Sequence, residues 1–524
     1  MKKTIFFLLS LLPLYIFAQG ISPQQQRKLN NALMAISSLY VDSINDKEVI
    51  ENTITSVLKE LDPHSSYIPL EEVQRVREPL QGSFEGVGIA FQLMEDTLLV
   101  IQTVAGAPAE RVGVMPGDRI ITVDGETIAG VKMQNSDIMK RLRGVKGSEV
   151  EVEILRRGEK ELMTFKIIRD KIPVYTVDAQ YMIGNDIGYI KINSFGSTTV
   201  AEYMKAFNEL KAKGMKHLIL NLQGNGGGYL GAAIELADQF LPNGEMIVYT
   251  EGLHQPKQEA VATAKGNYEK GRLIVLIDEY SASASEIVSG AIQDWDRGVL
   301  VGRRTFGKGL VQRELELVDG SLLRLTTARY YTPTGRSIQK PYKGVKYEDD
   351  LKNRYQHGEF SNPDSIQFSD SLKYETLRLK RAVYGGGGIM PDVFIPIDTT
   401  KYTDYHRKLV SRGIMNKTNV RFIENNREQI KQQYPDFARF KQNYEVSEDY
   451  LRQLIDAGEN DKVPFNEEQY NTSKELIKIQ LKSLIARDIW DTNEYYQIID
   501  EENESLKRAV QILETKKEYE KILK

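Results

Sequence analysis

The chain has 524 residues, of which 41% are hydrophobic and 27% charged, a composition typical of globular protein and unlike disordered or collagen-like chains. This length corresponds to three or four domains of about 150 residues each. The net charge of −4 provides no general basic surface for nucleic acid, and the absence of cysteine excludes disulfides, iron–sulfur clusters and a cysteine nucleophile. With five histidines, a histidine-rich metal site is not expected either.

The N-terminus has the pattern of a cleaved export signal. Two lysines precede an apolar run at residues 5–17, and the small residue Ala18 follows it. A positive segment, a short apolar segment and a small residue at the break are typical of a secretory signal peptide. The run is shorter than the ~20 residues that span a bilayer, and an uncleaved anchor is the alternative. We expect removal of residues 1–18 and export to the periplasm, with membrane-anchored or extracellular locations as alternatives.

Four regions follow the signal peptide. Residues 19–80 show helical apolar spacing, and residues 81–169 change to short strands separated by glycines. Between residues 170 and 398 strands alternate with helices, which predicts a mixed α/β domain with a surface insertion at about 342–372. Residues 399–524 have the apolar spacing of amphipathic helices. We therefore predict a multidomain α/β protein with helical regions at both ends.

Three short apolar runs in the α/β region predict buried strands. They lie at residues 216–223, 272–278 and 299–302, and each is too short for a helix. A β-hairpin is also predicted at residues 314–327, around the turn dipeptide Asp319-Gly320. Each of the three buried strands leads into a loop whose composition suggests chemistry.

The loop after the second strand has three serines at residues 281–285, in the order Ser-Ala-Ser-Ala-Ser, followed by Glu286. A helix is predicted to begin here, and its free backbone N–H groups would favour negative charge that develops nearby. Serine followed by glutamate is also typical of simple helix capping. A cap needs only one serine, so the pattern leaves both a nucleophile and a cap open.

A serine nucleophile needs a base, and this region has neither a Gly-x-Ser-x-Gly elbow nor a histidine. After the third strand, however, Lys308 stands between two glycines, where its side chain can reach inward. Burial would lower the pKa of this lysine and make it a usable neutral base. An ordinary loop lysine beside flexible glycines is the alternative.

The loop after the first strand contains three consecutive glycines at residues 226–228. Consecutive glycines allow backbone N–H groups to converge, which suits an oxyanion hole. A phosphate site is disfavoured, because the loop lacks the Gly-Lys-[Ser/Thr] ending of a P-loop. A tight turn with close helix–strand packing is the remaining alternative.

Together these motifs resemble those of the C-terminal processing (tail-specific) serine peptidases that contain a PDZ domain. The resemblance extends from about residue 61 to residue 392 and rests on the following segments: Asp62–Tyr67, Gly82–Gly88, Ser281–Ile287, Thr305–Gln312 and Leu325–Pro333. It implies a crotonase/ClpP-like α/β peptidase core with an inserted PDZ β-domain at residues 81–169. His64 lies in one of these segments, and we interpret it as structural.

The resemblance also implies roles for individual residues. Ser283 would be the nucleophile, Lys308 its general base, and Gln312 the residue that orients the lysine. The backbone N–H groups of Ala284 and Gly227 would form the oxyanion hole.

The PDZ segment contains a candidate peptide-binding loop. Val87, Gly88 and Ile89 resemble the PDZ loop whose amides hold a peptide carboxylate while the peptide adds as a strand.

One feature departs from the family pattern. The family commonly has an acidic residue and an arginine before the glycine loop, where this chain has Asn221 and Gln223. This departure affects the expected position of the glycine loop more than the expected activity.

The sequence thus predicts an exported serine endopeptidase with a Ser–Lys dyad and no metal or cofactor. Its expected partners are protein or peptide substrates with free apolar C-termini, and no nucleic acid. Peripheral membrane association, a homo-oligomer and an adaptor are all left open. The alternatives are a non-catalytic PDZ peptide-binding or chaperone-like scaffold, and a hydrolase of small esters, which would give the PDZ segment no purpose.

Overall fold

Helices at the N-terminus lead into the first β-sheet. The computed structural model describes residues 20–524, so the predicted signal peptide at residues 1–18 lies outside the described residues. Three helices and one strand form this region: α1 (Pro23–Leu39), α2 (Asp46–Leu61), β1 (Ser66–Ile68) and α3 (Leu70–Gln81). Ser22 and Asn45 cap α1 and α2, because each side chain accepts a hydrogen bond from a first-turn N–H.

A small β-sheet follows on a two-stranded stalk. Its elements are β2 (Ser83–Gly86), β3 (Ile89–Met94), β4 (Thr97–Thr103), α4 (Pro108–Arg111), β5 (Arg119–Val123), β6 (Glu126–Thr127), α5 (Asn135–Leu142), β7 (Glu149–Leu155), β8 (Met163–Ile168) and β9 (Asp170–Pro173). Strands β2 and β9 form the stalk, and the sheet has the order β3-β4-β5-β7-β8, with β6 beside β5. Val150, Val152 and Ile154 of β7 are fully buried, because alternate side chains of a strand share one face.

The α/β region contains most of the remaining strands. Its elements are β10 (Val177–Ile183), β11 (Ile187–Ile192), α6 (Thr199–Ala212), β12 (His217–Asn221), α7 (Leu230–Asp238), β13 (Met246–Gly252), β14 (Gln255–Val261), β15 (Leu273–Ile277), α8 (Ala284–Asp294), β16 (Val299–Gly302), β17 (Leu310–Glu316), β18 (Leu322–Tyr331), α9 (Asp350–Gln356), β19 (Lys373–Glu375), β20 (Ala382–Tyr384) and β21 (Val393–Phe394). The three buried strands predicted from the sequence are confirmed as β12, β15 and β16.

The central sheet has six strands in the order β10-β11-β12-β15-β16-β21. All neighbours run parallel except β10, which is antiparallel to β11. Helices α6, α7 and α8 pack on one face of this sheet. Strands β15 and β16 are buried at every residue, since both faces are covered, and this explains their uninterrupted apolar sequences.

A second sheet has the order β1-β18-β13-β14, with β17 also paired to β18. The predicted hairpin is confirmed as β17 and β18, and Gly320 adopts a φ of +82° in its turn. Strand β1 was not predicted, because three residues carry no recognisable periodicity. It forms by pairing Ser66 with Arg324 of β18, a partner far along the chain.

The segment predicted as a surface insertion, residues 342–372, is partly buried. Arg354 of α9 forms an ion pair with Glu359 and donates to the carbonyl of Thr305. Because Thr305 lies in the loop before β17, this segment packs against the core instead of extending freely from it.

The C-terminal region is helical, as predicted. Its helices are α10 (Asp404–Ser411), α11 (Ile414–Gln433), α12 (Phe437–Asn443), α13 (Glu448–Asn460), α14 (Glu467–Ile489), α15 (Thr492–Ile499), α16 (Glu504–Glu514) and α17 (Lys516–Ile522). Helices α10 to α15 share a core of their own, whereas α16 and α17 cover the second face of the central sheet. Among residues 20–524, no helix has both the length and the apolarity needed to cross a bilayer.

Candidate active site

Three loops meet at the carboxyl ends of the parallel strands β12, β15 and β16. We call residues 222–229 after β12 the glycine loop, residues 278–283 after β15 the serine loop, and residues 303–309 after β16 the lysine loop. The Ala282 N–H donates to the carbonyl of Asn225 at 3.0 Å, which joins the serine loop to the glycine loop. The Phe306 N–H donates to the carbonyl of Ser281 at 3.0 Å, which joins the lysine loop to the serine loop.

The three serines have different surroundings. The Ser281 hydroxyl donates to the carbonyl of Leu222 at 2.8 Å, and the Ser285 hydroxyl donates to that of Asn225 at 2.9 Å. Both residues are fully buried, so their hydroxyls hold the loops together. Ser283 is only partly buried, and its hydroxyl, which faces the first turn of α8, donates to no acceptor within residues 20–524. The middle serine is therefore the one whose hydroxyl is free to react.

Ser283 has a strained backbone. It precedes the first residue of α8 and adopts φ 55° and ψ −111°, in a region that non-glycine residues rarely occupy. Such a conformation costs about 1–3 kcal/mol and persists only where surrounding contacts hold it. One such contact is the Ser283 N–H bond to Oε2 of Glu286 at 2.9 Å. A sharp strand-to-helix turn of this kind exposes a nucleophile at the end of a sheet.

Lys308 lies largely buried in the lysine loop. Burial lowers the pKa of its ammonium group, and the positive charge of Arg324 lowers it further, while Glu286 and Asp62 act in the opposite direction. A lowered pKa is what a lysine base requires. No hydrogen bond joins its Nζ to the Ser283 hydroxyl in the part of the chain that the structure describes, so the dyad stays a prediction.

Two buried residues that the sequence reasoning did not assign to the site connect Ser283 to Lys308. Glu286 was interpreted only as a capping residue, and its carboxylate also accepts the Lys308 N–H at 2.9 Å. The Tyr330 hydroxyl lies 3.1 Å from the Ser283 carbonyl oxygen and 2.7 Å from that of Lys308. The sequence carried no local signal for these contacts, because their partners lie far along the chain.

The glycine loop packs directly against the serine loop. Gly227 has a φ of +102°, and a Cβ at this position would lie 2.7 Å from the Cβ of Ser283. Its N–H donates to Oδ1 of Asn225 at 2.9 Å, whereas the Ala284 N–H has no acceptor among the described residues. Ala284 is thus available as an oxyanion donor here, and a role for Gly227 would require its bond to Asn225 to be exchanged.

The two residues that depart from the family pattern are accommodated within the core. The Asn221 amide donates to the Tyr189 hydroxyl at 2.8 Å and accepts from the Gln223 N–H. The Gln223 side chain accepts from Asn503 at 2.8 Å and so faces the C-terminal region. Neither side chain is hydrogen-bonded to the serine loop within residues 20–524.

Gln312 belongs to a polar network beside the lysine. Its amide donates to the Thr326 hydroxyl at 3.1 Å, and that hydroxyl donates to Asp62. Asp62 also accepts from the Ser65 hydroxyl at 2.6 Å. No hydrogen bond from Gln312 to Lys308 is present in the described region, so its orienting role also stays a prediction.

His64 is close to the site but unsuited to act as its base. Burial, together with the positive charge of Lys308, lowers the pKa of His64 to about 4. Its Nε2 is 2.9 Å from the hydroxyl of Tyr347, which belongs to the partly buried segment at residues 342–372. This side chain therefore links the start of the core to that segment.

The predicted carboxylate loop lies apart from these residues, between β2 and β3. Gly88 adopts a φ of +80°, and a Cβ there would lie 2.3 Å from the Cβ of Ala107. The carbonyls of Val87 and Gly88 accept from Ala109 and Val104 at 2.9 and 3.0 Å, which fixes the loop. Ile89 begins β3, which is an edge strand of its sheet.

Comparison with known proteins assigns the family. The profile of peptidase family S41 matches residues 186–350, and that of PDZ domains matches residues 86–167. A carboxy-terminal-processing protease of Bartonella bacilliformis is 35% identical over 353 residues, which cover 64% of this chain and 80% of that protein. The chain belongs to the carboxy-terminal processing protease family.

Other matches agree with this assignment. The carboxy-terminal processing protease CtpA of Bacillus subtilis is 35% identical over 320 residues, which cover 61% of this chain and 67% of that protein. A photosystem II D1 C-terminal processing protease of known structure is 29% identical over 62% of this chain and 92% of its own, with a TM-score of 0.34. Residues 405–491, in the C-terminal helices, match a family of unknown function, DUF8443.

The predicted family, the mixed α/β architecture and the PDZ domain are therefore confirmed. The chain is a peptidase of a carboxy-terminal processing serine protease family. The roles of individual residues, export and tail recognition remain predictions.

Proposed function

We propose that this carboxy-terminal processing protease is an exported endopeptidase that binds the C-terminal tails of proteins through its PDZ domain and cleaves them with Ser283 and Lys308. One observation carries the proposal: of the three serines at residues 281–285, only Ser283 donates its hydroxyl to no described acceptor, and it lies beside a largely buried lysine whose pKa is lowered. Ala284 and Gly227 are proposed as oxyanion donors, and Gln312 as the residue that orients Lys308.

The proposed reaction is an acyl transfer in two steps. In the first step neutral Lys308 takes the proton of the Ser283 hydroxyl as Oγ attacks the scissile carbonyl carbon. The protonated lysine then gives this proton to the leaving amine as the C–N bond breaks, which leaves an acyl-enzyme. In the second step Lys308 takes a proton from water as the water oxygen bonds to the acyl carbon. The protonated lysine then gives this proton to Oγ of Ser283 as the acyl C–Oγ bond breaks and the product acid leaves.

We propose that backbone N–H groups stabilise the negative charge of the oxyanion. The Ala284 N–H is the first of α8, where the helix dipole also favours negative charge. We propose that the hydrogen bond between Ser283 and Lys308 forms when substrate binds, because catalytic hydrogen bonds often tighten only in that complex.

Tail recognition is proposed from the geometry of the PDZ domain. The loop of Val87 and Gly88 precedes Ile89 in β3, and the outer side of this edge strand has no neighbouring strand in the sheet. A peptide can therefore add beside β3 through main-chain hydrogen bonds while the loop amides hold its terminal carboxylate. Such binding suits protein substrates that have a free C-terminus, and we propose that their last residue is apolar.

Export is proposed from the signal-like N-terminus. Expression of the full chain in a bacterial host with a periplasm should yield a processed protein that begins near residue 19. N-terminal sequencing of the purified protein measures this directly, and a mature protein that begins at Met1 would contradict export by cleavage.

The test of the peptidase compares Ser283→Ala with Ser289→Ala. Ser289 lies in the same helix, and its buried hydroxyl donates only to the helical carbonyl of Ser285 at 2.7 Å. Ser283→Ala should lose at least about a thousandfold in kcat on a protein substrate, and Ser289→Ala should stay close to the wild type. Cleavage by Ser283→Ala at the wild-type rate would exclude the mechanism. Peptide binding by an inactive wild-type protein would instead favour the scaffold.

A further inference from the structure

We propose that Glu286 and Tyr330 are positioning residues that hold the nucleophile and the base of this peptidase at a fixed separation. Glu286 binds the backbone N–H groups of Ser283 and Lys308, and Tyr330 lies against their carbonyl groups. The inference rests on the proposed Ser283–Lys308 dyad and extends it to two residues that touch neither the substrate nor the reacting atoms.

The N–H side of this arrangement converges on one carboxylate. Oε2 of Glu286 accepts the N–H groups of Ser283 and Lys308, each at 2.9 Å. Its Oε1 accepts the Gly307 N–H at 2.8 Å and the Thr305 hydroxyl at 2.6 Å. Glu286 is fully buried, and these four donors offset part of the cost of its desolvation. The carboxylate thus ties the serine loop to the lysine loop.

The carbonyl side converges on one phenol. Tyr330 of β18 is 1% exposed, and its hydroxyl proton is shared between the carbonyl oxygens of Lys308 and Ser283 at 2.7 and 3.1 Å. Tyr330 belongs to the second sheet, so it adds a constraint from a different layer of the protein. Together Glu286 and Tyr330 therefore bind the backbone N–H and the backbone carbonyl of both Ser283 and Lys308.

The dyad needs such a constraint, because its two members come from separate strands. Ser283 follows β15 and Lys308 follows β16, and neither loop alone fixes the distance between them. The strained backbone of Ser283 adds a tendency to relax, which its bonds to Glu286 and Tyr330 oppose. Misplacement of reacting groups by about 1 Å can cost a hundredfold in rate.

Glu286 has a second effect, which separates a positioning role from a merely structural one. The charged groups that face Lys308 are Arg324 on β18, Glu286 on α8 and Asp62 before β1, and His64 lies beside them. The negative charge of Glu286 raises the pKa of Lys308. Burial raises the pKa of Glu286 to about 7, so above that pH its carboxylate is charged and acts on Lys308.

The experiment measures kcat, KM and their pH dependence for Glu286→Gln and Tyr330→Phe, with a peptide substrate. Both variants should lower kcat at least about tenfold and change KM less than about twofold, because substrate contacts remain intact. In Glu286→Gln the acidic limb of the kcat profile should also move to lower pH, since the carboxylate no longer raises the Lys308 pKa. In Tyr330→Phe, which removes no charge, this limb should stay in place.

Matched controls come from the C-terminal helices. Asp488 is buried and accepts a hydrogen bond from the Asn419 amide nitrogen at 2.6 Å. The Tyr450 hydroxyl donates to the amide oxygen of Asn419 at 2.9 Å. Asp488→Asn and Tyr450→Phe therefore remove a buried carboxylate and a buried phenol far from the dyad. They should lower the Tm without a tenfold loss of kcat or a shift of the acidic limb.

The outcomes are distinguishable. Wild-type kcat and pH profiles in both variants, with Ser283→Ala inactive, would overturn this inference alone, whereas active Ser283→Ala would overturn the proposed dyad itself. If Glu286→Gln fails to fold, Tyr330→Phe decides, because phenylalanine keeps the buried ring. A tenfold loss of kcat in Tyr330→Phe, absent from Tyr450→Phe, then supports the inference, and an unchanged kcat rejects it.

Discussion

At the scale of single residues, the reactivity of Lys308 depends on burial and on the charges around it. Burial and Arg324 lower its pKa, and Glu286 and Asp62 raise it. Because the base must be neutral to take a proton, activity should rise with pH through this lowered pKa. Each charged neighbour should therefore move the acidic limb of the rate profile in a direction set by its sign.

Arg324→Gln should move that limb to higher pH, because loss of a positive neighbour raises the pKa of Lys308. This direction is opposite to the one expected for Glu286→Gln. The measurement is kcat as a function of pH, with Arg439→Gln as the control, since Arg439 lies exposed on α12. An acidic limb that moves to lower pH in Arg324→Gln would contradict a lysine base.

Lys308→Arg should be inactive at every accessible pH, with a loss of at least about a thousandfold in kcat. The guanidinium group stays protonated and cannot take the Ser283 proton. Turnover measured from neutral to alkaline pH tests this expectation. Activity that returns at high pH in this variant would identify another group as the base.

Gly227→Ala should lower kcat at least about a hundredfold. The new Cβ would lie 2.7 Å from the Ser283 Cβ and 2.9 Å from the Ala282 carbonyl oxygen, and the φ of +102° disfavours alanine. The glycine loop or Ser283 must therefore shift. Gly231→Ala is the control, because its Cβ would meet no atom within 4 Å. Equal kcat in the two variants would show that the close approach is not needed.

At the scale of elements, the helices at the two ends of the described chain differ in how they pack. Helix α1 buries none of its residues. Helices α16 and α17, in contrast, bury side chains against the second face of the central sheet, among them Leu513 and Tyr519. The free energy of unfolding depends on buried apolar surface, so the two ends should contribute unequally.

Removal of residues 20–40 should leave the Tm within a few degrees of the wild type, whereas removal of residues 504–524 should prevent stable folding. The second deletion exposes the apolar face of the central sheet. As a milder change, Leu513→Ala should lower the free energy of unfolding by about 2–5 kcal/mol, which denaturant titration measures. A wild-type Tm after the C-terminal deletion would contradict this assignment.

At the scale of the whole molecule, the PDZ domain is attached to the rest at two places. The β2–β9 stalk connects it to the core, and α11 packs on its sheet through Val420. Ion pairs between Arg119 and Glu424 and between Arg421 and Glu95 add to the second attachment. The PDZ domain is therefore connected both to the core and to the C-terminal helices.

Cleavage should therefore depend on the last residues of a substrate. Amidation of its C-terminus should lower kcat/KM about tenfold or more, because a hydrogen-bonded charged group contributes about 1.5–3 kcal/mol. Replacing an apolar last residue with Asp or Lys should have a similar effect. Steady-state cleavage of substrates that differ only in their last three residues measures this, and equal kcat/KM for all of them would exclude tail recognition.

The order of elements, the three buried strands, the two helical ends and the family followed from the sequence. Local signals were enough for these, because apolar periodicity, turn dipeptides and short motifs are properties of neighbouring residues. The pairing of Ser283 with Lys308 was implied by the resemblance to the peptidase family, because each loop by itself was also compatible with a helix cap or an ordinary loop lysine. The packing of Arg354 against the core and strand β1 did not follow, because both depend on partners far along the chain.

Only the tertiary structure decided how the predicted residues contact one another. It distinguished Ser283 from Ser281 and Ser285, because the hydroxyls of the latter two donate to carbonyls of the glycine loop. It also brought Glu286 and Tyr330 to both members of the proposed dyad. These contacts join residues separated in sequence, and their hydrogen bonds form only once the two sheets pack, so no local pattern of the sequence could specify them.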